Sequence, residues 1–93
     1  MTKIYIAGPI TGVRNYASKF RRAAQKLRRP DTLVMTPHVL PEGFAWADYM
    51  PICYAMMDAC DTIYMLPGWE QSKGAKLEHD RARECGMEII YGG

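Results

Sequence analysis

The sequence predicts an α/β fold, a three-layer sandwich around a four-stranded, mostly parallel sheet. Two observations predict it. Four short runs rich in isoleucine, valine, threonine and tyrosine alternate with three segments of helical periodicity. Glycine, proline or a capping residue stands at almost every junction between them.

The elements follow in order. Lys3 to Ala7 is an apolar run bounded by Gly8-Pro9 and reads as a buried strand. Gly8 to Arg14 is a loop, and Asn15 is placed to cap the helix that follows. Tyr16, Phe20, Ala23, Ala24 and Leu27 form its inner stripe, with Lys19, Arg21, Arg22, Gln25 and Lys26 on the other faces. Thr32 to Thr36 is a second strand, stopped by Pro37. A second helix is expected from Ala47 to Ala59, with Tyr49, Ile52, Cys53, Met56, Met57 and Cys60 inward and Pro51 tolerated in its first turn. Thr62 to Leu66 is the third strand. Ser72 caps a third helix from Lys73 to Cys85, and Gly86 stops it. Glu88 to Tyr91 is the fourth strand.

Parallel strands joined by right-handed crossovers put helices on both faces. The expected strand order is 2-1-3-4, as in flavodoxin- and Rossmann-like sheets. That order reverses between the first and third strands, and ligands bind at such a switch, outside the carboxyl ends of the strands. The loops AGPITGVRN and LPGWEQSKG lie there.

Composition narrows the class. Ninety-three residues, 48% apolar and 24% charged, make one domain, residues 1–93, with a thin core. Burial against another copy, in a homodimer or higher homo-oligomer, is expected to supplement it. Three cysteines with no C-x-x-C pair suggest free thiols in a reducing compartment, and the opening MTKIYIAG lacks a signal-peptide pattern, so a cytoplasmic location is expected. The basic cluster from Lys19 to Arg29 reads as a solvated helix face, and no polymeric nucleic acid is expected as partner. No run is long enough for a membrane span. His38, His79 and the cysteines show no metal-ligand spacing, so neither a metal nor a cofactor is expected.

Chemistry concentrates in one place. Ala75, Glu78, Ala82 and Cys85 share one helical stripe, so Glu78 points inward among small neighbours, directly behind a switch-point loop. His79 and Asp80 fall on other faces and are expected in solvent. The Gly8-Pro9-Ile10-Thr11-Gly12 loop matches neither the dinucleotide fingerprint nor a P-loop. Its backbone can still approach an anion, with Thr11 and Arg14 adding side-chain contacts. Asp61 either serves a turn or belongs to the site, and Asp48 either caps the second helix or reaches the crevice. Trp46 and Trp69 suit stacking on a planar base, or packing against the loop or a second subunit.

With these residues in view, the chain resembles the nucleoside 2-deoxyribosyltransferase-like superfamily. It is most similar to a small branch, common in phages and prophages, that is usually left as a domain of unknown function. KIYIAGPITG, CDTIYMLPGWEQSKGAKLEHDRA and GMEIIY carry the resemblance, which covers nearly the whole chain. It implies cleavage or transfer of the N-glycosidic bond of a deoxynucleoside or deoxynucleotide. Glu78, four residues after Gly74, would be the nucleophile. Gly8, Pro9, Thr11 and Gly12 would line the sugar or phosphate side and Trp69 the base, with Arg14, Gly68, Ser72 and Gly74 as further substrate-binding residues. Members carry an aspartate eight residues ahead of the one that opens the third strand, and Cys53 stands there in this chain. Either another group such as Asp48 supplies the acid, or activity is weak, or the site only binds.

Overall fold

The computed structural model describes residues 1–92; Gly93, the last residue of the expected domain, lies outside them. Strand β1 (Thr2–Ala7), helix α1 (Tyr16–Leu27), β2 (Thr32–Met35), α2 (Trp46–Asp58), β3 (Thr62–Met65), α3 (Lys73–Glu84) and β4 (Glu88–Tyr91) follow one another, with short 3-10 turns at Pro37–Val39 and Trp69–Gln71. The sheet is entirely parallel, in the order β2-β1-β3-β4. Tyr5 stands opposite Met35 on one side and Ile63 on the other.

Strand alternation sorts the core into two layers. Ile4 and Ile6 of β1, with Tyr64 and Leu66, turn toward α1 and pack on Phe20, Ala23 and Ala24. Tyr5 and Ala7, with Ile63 and Met65, turn the other way onto Cys53 and Met57 of α2 and Ala75 and Ala82 of α3. One helix therefore covers one face and two cover the other. Phe20 is fully buried, and its side chain alone contributes about 2–3 kcal/mol of apolar burial. At the carboxyl ends of the central strands Gly8 lies against the Leu66 side chain. A Cβ at Gly8 would lie 2.8 Å from Leu66 Cβ, so only glycine fits.

Local details depart from expectation in four places. Asn15 precedes α1 but makes no side-chain cap bond. Helix α2 begins at Trp46, so Pro51 falls in its second turn, and the Ala47 carbonyl loses its usual partner on an exposed face. Ile52 is exposed rather than inward. Ser72 caps α3 as expected, its Oγ accepting from the Ala75 amide at 3.2 Å. Cys85 is exposed just past the helix end, outside the inner stripe. Among the described residues no helix is long and apolar enough to cross a membrane.

Candidate functional site

A cavity of about 790 Å³ opens at the carboxyl ends of the strands. That volume falls within the roughly 300–1,000 Å³ usual for small-molecule sites. Three loops form its walls: Gly8–Val13 after β1, Pro37–Phe44 after β2, and Gln71–Gly74 leading into α3. Trp46, Met50 and Cys53 of α2 close one side, and Glu78 lies at the inner end.

Glu78 is buried because α3 packs its Ala75–Ala82 stripe on the sheet and carries the carboxylate with it. A lone buried carboxylate is costly, and this one has a partner. The Tyr5 hydroxyl donates to Glu78 Oε2 at 2.6 Å, within the range of a charge-assisted bond. Burial pushes the Glu78 carboxyl up to about 7, while bonds from Tyr5 and Cys53 act to lower it. Burial, and then the Glu78 charge, hold the Tyr5 phenol well above its ordinary value, so it remains a donor. Burial likewise raises the Cys53 thiol, which stays protonated at neutral pH. The three side chains come from β1, α2 and α3 and form one polar cluster in an otherwise apolar layer.

The outer cavity is aromatic and contains a second carboxylate. Tyr16 at the start of α1 donates to Glu42 Oε1 at 3.3 Å. Glu42 and Glu78 are the two carboxylates among the described lining residues. Trp46 presents its ring beneath the Lys73 ammonium, which lies 4.8 Å from the ring centroid. Gly74 lets these elements approach, since a Cβ there would sit 3.3 Å from Trp46 Nε1.

Of the residues expected at the site, Glu78, Gly8, Pro9, Thr11, Ser72 and Gly74 line this cavity. Others do not. Asp61 opens β3 at the opposite end of the sheet, where its carboxylate accepts from the Lys3 amide at 3.2 Å and from Thr62 Oγ1 at 2.7 Å. Those bonds, Thr62's first, lower its pKa, and its role is to fix the start of the strand pair. Asp48 is exposed and accepts from the Ala45 amide at 3.1 Å, holding the first turn of α2. Gly12 completes a turn at φ 78°, closed by the Val13 amide on Ile10 O at 3.0 Å. Arg14 is exposed outside the cavity wall. Gly68 takes φ 89° ahead of the 3-10 turn and packs near Pro9.

Trp69 turns away from the cavity. Its ring stacks on His79 at 4.3 Å between centroids, and His79 Nε2 lies 2.8 Å from the Tyr91 hydroxyl. This stack buries His79, expected in solvent, while Asp80 is exposed. Tyr5 and Glu42 were not anticipated as site residues. Tyr5 carried a usable signal, because a tyrosine in a buried strand needs a hydroxyl partner. Glu42 carried none beyond its place in the loop after the second strand. Among the described residues no group of three or more His, Cys, Asp and Glu side chains is gathered as a metal site.

No curated protein and no solved structure matches the chain. A family model does, over residues 2–91, so the chain belongs to the family described as Domain of unknown function (DUF4406).

Proposed function

We propose that the protein cleaves or transfers the N-glycosidic bond of a deoxynucleoside or deoxynucleotide, with Glu78 as nucleophile. The observation that carries the reading is a buried carboxylate, bonded to Tyr5 at 2.6 Å, at the inner end of a cavity of about 790 Å³. With its pKa near 7, Glu78 is part ionised at neutral pH, and Tyr5 steadies the charged form. The ionised carboxylate attacks the anomeric carbon as the carbon–nitrogen bond breaks and the base departs with the electron pair. Water or a second base then displaces Glu78 from the sugar. The leaving base takes its proton from water, and Glu42 is the other carboxylate that lines the cavity. Trp46, rather than Trp69, is the aromatic wall for the base. Ser72 and the Gly8–Thr11 loop serve the sugar or a phosphate.

A second reading is a nucleotide-binding protein without catalysis. Cys53 favours it, standing beside Glu78 where the resemblance implies an aspartate, and holding a proton it does not readily release. Incubation with a panel of deoxynucleosides and their monophosphates separates the two. Free base that appears with the wild type and disappears with Glu78→Gln supports the enzyme. No release from any substrate, with binding still measurable by calorimetry, selects the second reading. Cys53→Asp should raise turnover if the missing carboxylate limits it, and no gain points to a proton source elsewhere.

Association into a homo-oligomer belongs to the same reading. Leu33 and Met35 of the edge strand β2 are exposed at 54% and 36%, and sedimentation would show whether a second copy covers them. The free thiols Cys53, Cys60 and Cys85 suit a reducing, cytoplasmic compartment.

A further inference from the structure

Charge is segregated along this chain. The first 30 residues hold eight of its 12 lysines and arginines and none of its 10 aspartates and glutamates. Lys19, Arg21, Arg22 and Lys26 of α1, with Arg28 and Arg29 just beyond it, are all exposed. Helix α1 covers its side of the sheet alone. The carboxylates of α2 and α3 (Asp48, Asp58, Glu78, Asp80 and Glu84) belong to the opposite layer. Among the described residues none of the six cations of this face forms an ion pair.

This arrangement works against α1 itself. Lys19, Arg22 and Lys26 are three and four residues apart, so like charges stand as neighbours on one stripe. No acidic residue sits in the first turn, and Asn15 gives no cap. A helix charged against its own stability points to a demand outside the fold.

We infer that the α1 face binds the phosphodiester backbone of a nucleic acid strand, without reading its bases. The exposed positions of α1 are Lys19, Arg21, Arg22, Gln25 and Lys26. They include no apolar side chain to enter a bilayer or to form the dry centre of a protein interface. Phosphate contact needs only cations, and arginine, the majority here, engages phosphate bidentately. From Lys19 to Lys26 the stripe runs about 10 Å at helical rise, and Arg28 and Arg29 carry it past the helix end, so that it matches about four phosphates of one strand. The expectation of a merely solvated face is revised on these grounds, and the inference stands independently of any chemistry in the cavity.

Fluorescence anisotropy of the full chain with a labelled mixed-sequence duplex and the corresponding single strand tests it. Binding should weaken with salt at a log–log slope of about −3 to −4 for the duplex. Affinity should not depend on sequence. Arg22→Glu with Lys26→Glu should lower the slope magnitude by about 2 and the affinity at about 50 mM salt by more than tenfold. Lys76→Glu with Arg83→Glu makes the same charge change on α3 and should bind as the wild type does. Circular dichroism checks the fold, and Arg22→Gln with Lys26→Gln replaces the first pair if that pair unfolds. Absence of binding at low salt, an equal loss in the α3 pair, or equally tight binding to anionic vesicles would overturn the inference.

Discussion

Replacing Glu78 by glutamine should make the protein's stability far less sensitive to pH. Burial holds the Glu78 carboxyl at about 7 in the folded state, against 4.5 for the free side chain. A carboxyl whose folded pKa is raised stabilises the fold only while it keeps its proton. That contribution is complete below the unfolded pKa and is lost as pH rises through the folded value. The shift corresponds to roughly 3 kcal/mol, lost between about pH 4 and about pH 8. A chain of this size has only about 5–15 kcal/mol of stability, so the effect is large. Glutamine keeps the volume and can still accept from Tyr5, yet never charges. Urea unfolding of both proteins at several pH values is the assay. Other titrating groups are common to both and cancel in the difference. Near pH 5 the two should agree within about 1 kcal/mol, and near pH 8 the variant should be more stable by about 2–3 kcal/mol. A constant gap, or one that grows in favour of the wild type at high pH, refutes the account of Glu78 as a desolvated carboxyl.

Tyr5→Phe removes a bond that lowers the Glu78 pKa, so carbon-13 NMR titration of a labelled Glu78 should find it higher than in the wild type. Trp46→Ala should weaken nucleotide binding by about 1–3 kcal/mol with little loss of stability, measured by calorimetry beside thermal unfolding. Trp69→Ala should do the reverse, lowering stability by about 2–4 kcal/mol through the lost His79 stack and sparing affinity. Gly8→Ala should cost about 1–3 kcal/mol in urea unfolding, because the new methyl meets Leu66.

The sheet order and the inward direction of Glu78 were legible because both follow from local pattern. Apolar runs alternate with helical stripes, and Ala75 and Ala82 mark the side that α3 buries. What escaped reading depends on contacts between distant segments. Trp69 and His79 bury one another, so neither residue's own neighbours announce it. Tyr5 counts as one more apolar residue of a strand until Glu78 arrives to receive its hydroxyl. Asp48 and Asp61 have the right chemistry for a site, but their carboxylates are taken up by the Ala45 and Lys3 amides. The loop after β2 carries no motif, yet it supplies Glu42 and Phe44 to the cavity because β2 lies beside β1.

The bond between Tyr5 and Glu78 joins residues 73 positions apart. Strand β1 leaves the ribosome early, but its partner β3 and the carboxylate on α3 follow only after most of the chain is made. Until then Tyr5 and Ala7 have no α3 layer to cover them, and the polar cluster does not exist. Parallel pairing of this kind closes long loops before it gains contacts, which slows folding and prolongs exposure of apolar strands. The protein therefore acquires its site in the same late event that completes its core, and a chain stopped short of α3 would carry neither.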